Sequence, residues 1–227
     1  MSAVTDDETR DALGRQLALF SRVLYERGWM PGTAGNLSAR LPDRAALITA
    51  SGRDKGALTE RDMVTVDADT GREVDDCRTV HPSAGRLRAS AETSIHAAVY
   101  RSTDAGAVIH VHSPYATALA SRTGDTARTV PLRIERYELL KGLGLADPSH
   151  TRLPVFPNWS EVPRIAEDVA RHLAADPAAP AALLITDHGV TAWGRDLPQA
   201  RNRLECVEAL SRLILLAGSG APANHPL

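Results

Sequence analysis

The sequence predicts an α/β fold built as one domain, and three observations support that reading. Apolar stripes with helical spacing alternate with short runs of Val, Ile and Leu bounded by Gly, Pro and Asp. No segment repeats, and no internal stretch has the composition of a linker. At 43% hydrophobic and 24% charged residues, the 227-residue chain can bury a sizeable core.

The elements follow in order. Thr5-Asp6-Asp7-Glu8 resembles a capping box, and Leu13, Leu17, Phe20 and Leu24 continue a helix to about Arg27, where Gly28 stops it. Trp29 to Asn36 holds too much Gly and Pro for regular structure. Leu47-Ile48-Thr49 and Met63-Val64-Thr65-Val66 read as strands on either side of a glycine-containing loop. Ser90-Ala91-Glu92-Thr93 opens a second helix with Ile95, Ala98 and Val99 on its inner face. Ala107 to His112 is a buried strand, and a short helix covers Tyr115 to Ala120. Ser160, Glu161 and Pro163 start a helix carried on by Ile165, Val169 and Leu173. Ala182 to Thr186 is a strand that turns at Asp187-His188-Gly189 into Val190 to Trp193. Asp196 and Pro198 open the last helix, with Leu204, Val207, Leu210 and Ile214 as its stripe. Residues 1–6 and 218–227 are expected to be disordered.

Composition excludes several partners. Net charge is −2 with the two signs interspersed, which suits neither nucleic acid nor an acidic membrane surface. No stretch reaches the roughly 18 apolar residues of a membrane span. The first residues lack a basic-then-apolar signal pattern, and Cys77 and Cys206 are too few for a disulfide scaffold. A reducing cytoplasm is the expected compartment.

His110 and His112 carry the chemistry. Two residues apart on a strand, they point to one face with Cα atoms about 6.6–6.8 Å apart, close enough to converge on one ion. Two half-buried histidines without a metal would read the same way. His188 occupies a second strand end, before a glycine that permits close backbone approach, and completes a three-histidine set for zinc if folding brings the strands together. His96, four residues after Glu92 on the same helix face, reads as a packed partner, while His81, His150, His172 and His225 read as solvated. Proton transfer needs an acid or base near a metal, and Glu92 and Glu138 are the candidates. Gly35-Asn36, Ser51-Gly52 and Ser90-Ala91 each combine backbone access with a polar side chain. Ser90 also precedes a helix whose amides suit a phosphate, and Arg53, Lys55 and Arg88 lie nearby in sequence. Each such loop taken alone is also an ordinary turn.

In this order, Gly35-Asn36-Leu37-Ser38, Ile48-Thr49-Ala50-Ser51-Gly52, Ser90-Ala91-Glu92, His110-Val111-His112-Ser113 and His188-Gly189 resemble the class II aldolase/adducin family over roughly residues 10 to 215. The resemblance implies a three-layer αβα fold with a central, largely antiparallel sheet. It implies one Zn2+ per subunit on His110, His112 and His188, and a homotetramer with sites near subunit interfaces. It sets a substrate phosphate against Gly35, Asn36, Ser51, Gly52 and Ser90. Gly28 to Asn36, Ser51 to Gly56, Tyr137 to Gly142 and Trp193 to Asp196 resemble the branch that dehydrates methylthioribulose 1-phosphate in methionine salvage. In that branch Glu138 falls at the acid/base position, whereas Glu92 falls where the sugar-phosphate aldolases place theirs. Aldolase or 4-epimerase chemistry is the alternative, and a metal-free adducin-like interaction module a third. Ala89 departs from the family, which often has proline there.

Overall fold

In a computed structural model, residues 3–42, 44–74, 80–81 and 85–218 are described. Eight strands form one sheet: β1 (Asn36–Arg40), β2 (Ala45–Thr49), β3 (Met63–Asp67), β6 (Ala107–Val111), β7 (Val130–Glu135), β8 (His150–Phe156), β9 (Ala182–Ile185) and β10 (Gly189–Gly194). Between β3 and β6 in sequence, β4 (Val80–His81) and β5 (Gly85–Arg86) make a separate ribbon. The sheet order is β3-β2-β1-β6-β10-β9-β8-β7, with every pair antiparallel except β8 with β9.

Helices cover both faces. Ala107, Ile109 and Val111 of β6 join the core beneath α1 (Ala3–Glu26), α3 (Pro114–Thr123) and α5 (Leu197–Gly218). Val108, pointing the other way, joins the core beneath α2 (Thr93–Ser102) and α4 (Val162–Ala175). This period-two division makes three αβα layers, as expected. No described helix is long and apolar enough to cross a membrane.

Two local readings change. Helix α1 already includes Ala3, so it starts ahead of the expected Thr5 boundary. The expectation of disordered ends falls largely on residues 1–2 and 219–227, outside the described residues. Strands β1, β7 and β8 had no clear sequence signal. Asn36 and Ser38 put buried polar side chains into β1. In β7 and β8, Pro131 stands opposite Pro154. Proline gives no ladder N–H and argues against a strand, but β7 is the sheet edge, where the loss is tolerated.

One buried carboxylate holds the segment after His112. Glu208 of α5, 6% exposed, accepts from Ser113 Oγ at 2.7 Å, from the Ala116 N–H at 2.8 Å and from the Tyr115 N–H at 3.0 Å. It thereby caps α3 from a distant helix. Glu208→Ala is expected to lower unfolding free energy by about 2–3 kcal/mol, because buried donors lose a charged acceptor. Urea denaturation measures this, and a change below half a kcal/mol would contradict the assignment.

Candidate metal centre and active site

Adjacent strands and one turn deliver the three histidines. His110 in β6 stands opposite Asn36 of β1 and Thr191 of β10. Its Nδ1 is 2.9 Å from Thr191 Oγ1, which fixes the ring, and its buried Nε2 has no hydrogen-bond partner. His112 follows the end of β6, and its backbone N–H donates to the Trp29 carbonyl at 2.9 Å. His188 sits in the turn between β9 and β10, after Asp187 with φ of 55°. Gly189 is required beside it, since a Cβ there would collide with the Val111 carbonyl.

The rings form a near-equilateral triangle. Centroids are 5.1 Å apart for His110 and His112, 4.8 Å for His110 and His188, and 4.7 Å for His112 and His188. Glu92, just before α2, joins them, with Oε1 2.8 Å from His188 Nε2 and Oε2 3.5 Å from His110 Nε2. One donor atom from each of Glu92, His110, His112 and His188 lies within 4.8 Å of the other three. Three imidazoles, a carboxylate and the unpartnered His110 Nε2 fit a divalent cation.

Protonation favours the same use. Burial drives His110 down to about 3, against the pull of Glu92, and burial also lowers His112. A neutral imidazole is the form with a lone pair for a metal. Burial alone would push the Glu92 carboxyl up. His110 and His188 and the Asn36 amide outweigh it and hold the carboxyl well below the usual carboxylate range.

Behind Glu92 runs a polar ladder between α2 and β1. Asn36 Nδ2 donates to Glu92 Oε2 at 2.5 Å. Ser38 Oγ is 2.7 Å from both His96 Nδ1 and Tyr100 OH. The Arg40 guanidinium lies 4.6 Å from the Tyr100 ring centroid and donates to the Tyr100 and Ala105 carbonyls. His96 is thus a hydrogen-bonded partner and stands outside the metal group, as its helix position predicts. Burial lowers it to about 4, with Glu92 opposing. Below pH 6.5 the unfolded chain binds a proton at this histidine that the folded chain does not. Its stabilising contribution is therefore full above pH 6.5 and is lost as pH falls toward 4. Stability of the wild type relative to His96→Phe should fall by about 1.4 kcal/mol per pH unit across that window. Parallel urea titrations from pH 7.5 to 4.5 check this, and equal slopes would contradict it.

The glycine- and serine-bearing loops converge beside the ladder. Ala50 bridges to Ala89, and the Ser51 N–H donates to the Arg88 carbonyl, which sets Ser51 and Gly52 next to Ser90. Ser90 Oγ accepts from the Glu92 N–H at 3.3 Å. Gly52, with φ of +68°, has open space where a side chain would project. Gly35, with φ of +76°, could not carry a Cβ without striking Met30. The Ala89 departure has a local reason. Its N–H donates to Glu73 Oε1 at 2.8 Å, a bond that proline could not make.

Glu138 is not brought to the histidines of its own chain. It opens a short 3-10 helix at Glu138–Leu143, its side chain is 83% exposed, and it pairs with Lys141 at 2.7 Å. Among the other histidines, His150 is exposed near Asp147. His172 corrects the solvated reading, since it is half-buried and edge-on to Phe156. The side chains of His81 and His225, like Cys77, lie outside the described residues. Thr191 and the Ser38–Tyr100 pair were missed as site residues. The available signal for Thr191 and Ser38 was a polar residue at the inward period-two position of an otherwise buried strand, whereas Tyr100 stands on α2 four residues after His96.

The class II aldolase and adducin N-terminal domain matches residues 15–215. A Nocardia farcinica protein named bifunctional methylthioribose-1-phosphate isomerase/methylthioribulose-1-phosphate dehydratase is 53% identical over 94% of the chain, which spans 38% of that protein. The methylthioribulose-1-phosphate dehydratase of Microcystis aeruginosa is 43% identical over 88% of the chain and 94% of the relative. Among solved structures, YgbL from Escherichia coli superposes with a TM-score of 0.75 at 28% identity, covering 94% of this chain and 93% of that one. L-fuculose-1-phosphate aldolase from Thermus thermophilus gives 0.67 at 27% identity, covering 95% and 98%.

Proposed function

The chain belongs to the class II aldolase and adducin family, and from that premise we propose that it dehydrates 5-methylthioribulose 1-phosphate to 2,3-diketo-5-methylthiopentyl 1-phosphate. The reaction would be a cytoplasmic step of methionine salvage. The observation that carries this reading is the three-histidine, one-carboxylate group, found in a chain whose relatives bear the dehydratase name. Zn2+ is the proposed ion, one per subunit, held by His110, His112 and His188. When bound, such an ion supplies Lewis-acid polarisation of the substrate C2 carbonyl.

The protein's residues do the rest. Gly35, Asn36, Ser51, Gly52 and Ser90 orient the phosphate end. Thr191 holds the His110 ring, and the ladder holds Glu92 beside the reacting carbons. Glu138 takes the C3 proton, the electron pair flows toward the C2 carbonyl, and Glu138 returns a proton to the C4 hydroxyl as it leaves as water. The enol left behind becomes the diketone. Because Glu138 is exposed and lies away from its own chain's histidines, we assign it to the site of a neighbouring subunit in a homotetramer.

Aldol cleavage is the second reading, favoured by the likeness to the Thermus aldolase and by Glu92 within the histidine group. It would use the same site and break C3–C4 in place of C4–O. An assay with methylthioribulose 1-phosphate beside fuculose, rhamnulose and ribulose phosphates separates the two. Diketone formation from the first alone is expected. Cleavage of any of the others at a comparable rate would replace the dehydratase reading.

A further inference from the structure

Arg53 and Lys55 follow the Ser51-Gly52 loop in sequence and Arg88 precedes Ser90, and the structure divides these three cations. Arg53 Nε is 2.8 Å from Asp62 Oδ1, and Arg88 Nη1 is 3.5 Å from Glu73 Oε2, so each has a carboxylate partner. Lys55 has none among the described residues. It is 1% exposed, and its Nζ donates to the Thr33 carbonyl at 2.9 Å and the Arg53 carbonyl at 3.0 Å. These carbonyls belong to two separate loops, Pro31–Gly35 and Ser51–Lys55. The first leads into Asn36 and the second carries Ser51 and Gly52.

A buried ammonium with only neutral acceptors is costly, because carbonyl dipoles solvate the charge without neutralising it. Burial lowers Lys55 to about 8, with the Asp54 and Glu92 charges opposing. The ammonium therefore still predominates at neutral pH. A protonated lysine in this position places a positive charge, held by carbonyls and by no direct ion pair, under the loops that meet beside Ser90.

We propose that Lys55 is the anchoring cation of the phosphate subsite: it clamps the two loops together and supplies a positive charge, bound in no ion pair, toward which a phosphomonoester dianion is drawn. This inference rests on the phosphorylated-substrate reading given above and adds the group that would make that end of the site selective for phosphate. Lys55 acts on the ligand through charge and loop position, while loop amides and hydroxyls make the nearer contacts.

The test uses inorganic phosphate as probe and calorimetric titration of the metal-loaded protein, with the dehydratase assay run in parallel. Lys55→Gln and Lys55→Met should weaken phosphate binding by about tenfold to a hundredfold, the loss expected for one charge-assisted interaction. Arg53→Gln and Arg88→Gln should stay within about twofold, because Asp62 and Glu73 already neutralise these two charges. Wild-type affinity in both Lys55 variants, or an equal loss in the arginine variants, would overturn the proposal. If neither Lys55 variant folds, the wild type decides by NMR. The 15N resonance of Lys55 Nζ should move when phosphate is added at pH 7, and an unmoved signal at saturation rejects the role. Lys55-dependent phosphate binding without dehydration would sink the proposed reaction and leave this inference standing. Dehydration with phosphate binding indifferent to Lys55 would do the reverse.

Discussion

His188→Ala should strip the protein of its metal and lower kcat/KM by about a thousandfold or more, the loss that corresponds to several kcal/mol of Lewis-acid stabilisation. The triangle explains the size of the effect. With ring centroids 4.7 to 5.1 Å apart, removal of one corner leaves two imidazoles and Glu92, without the third ring that closes the group. His110→Ala should behave alike, since Thr191 would then have no ring to hold. Metal analysis by mass spectrometry, together with turnover, measures both losses. His150→Ala serves as a control, being exposed and outside the group. Full metal content in His188→Ala would dismiss the three-histidine centre.

Glu138→Gln should lower kcat by about a hundred- to ten-thousandfold, the usual worth of a positioned acid/base group, while bound metal stays unchanged. The side chain is 83% exposed and meets Lys141 on the surface, so its neutral isostere should leave stability within about 0.5 kcal/mol. Placement of this residue in a neighbour's site has a sharper consequence. Protein bearing only His188→Ala and protein bearing only Glu138→Gln are each inactive, yet hybrids of the two should recover. In randomly mixed rings about a quarter of sites would join an intact metal centre to an intact Glu138. Activity that stays at the level of the separate variants after dissociation and reassembly would return Glu138 to its own chain or remove it from the reaction.

The legible parts of the sequence were those where one physical demand dominated. β6 could be read because its five residues are all buried, so its alternation placed His110 and His112 on one face. The turn at His188 was marked by Gly189, whose missing Cβ admits Val111. β7 and β8 were hidden because Pro131, Pro154 and the surface arginines beside them suit an edge hairpin but mimic a loop. Asn36 has a second partner that its loop did not announce. The family resemblance sets it against the substrate phosphate, and the fold also gives its Nδ2 to Glu92. Arg53, Lys55 and Arg88 were indistinguishable as cations beside the serine-bearing loops. Only the three-dimensional placement of Asp62 and Glu73 shows which two are neutralised.

The ladder of Glu92, His96 and Tyr100 against Asn36, Ser38 and Arg40 matches two different rulers. Four helical residues advance about 6.0 Å, and two strand residues about 6.6–6.8 Å. The three rungs therefore stay in step over about two helical turns and would drift apart over a much longer span. One inserted or deleted residue between Glu92 and Tyr100 would turn the remaining rungs about 100° around the helix, away from β1. Loops such as the one joining β2 to β3 impose no such constraint. A change of length in this stretch of α2 would thus pull apart the support behind Glu92, although no residue of α2 itself belongs to the metal group.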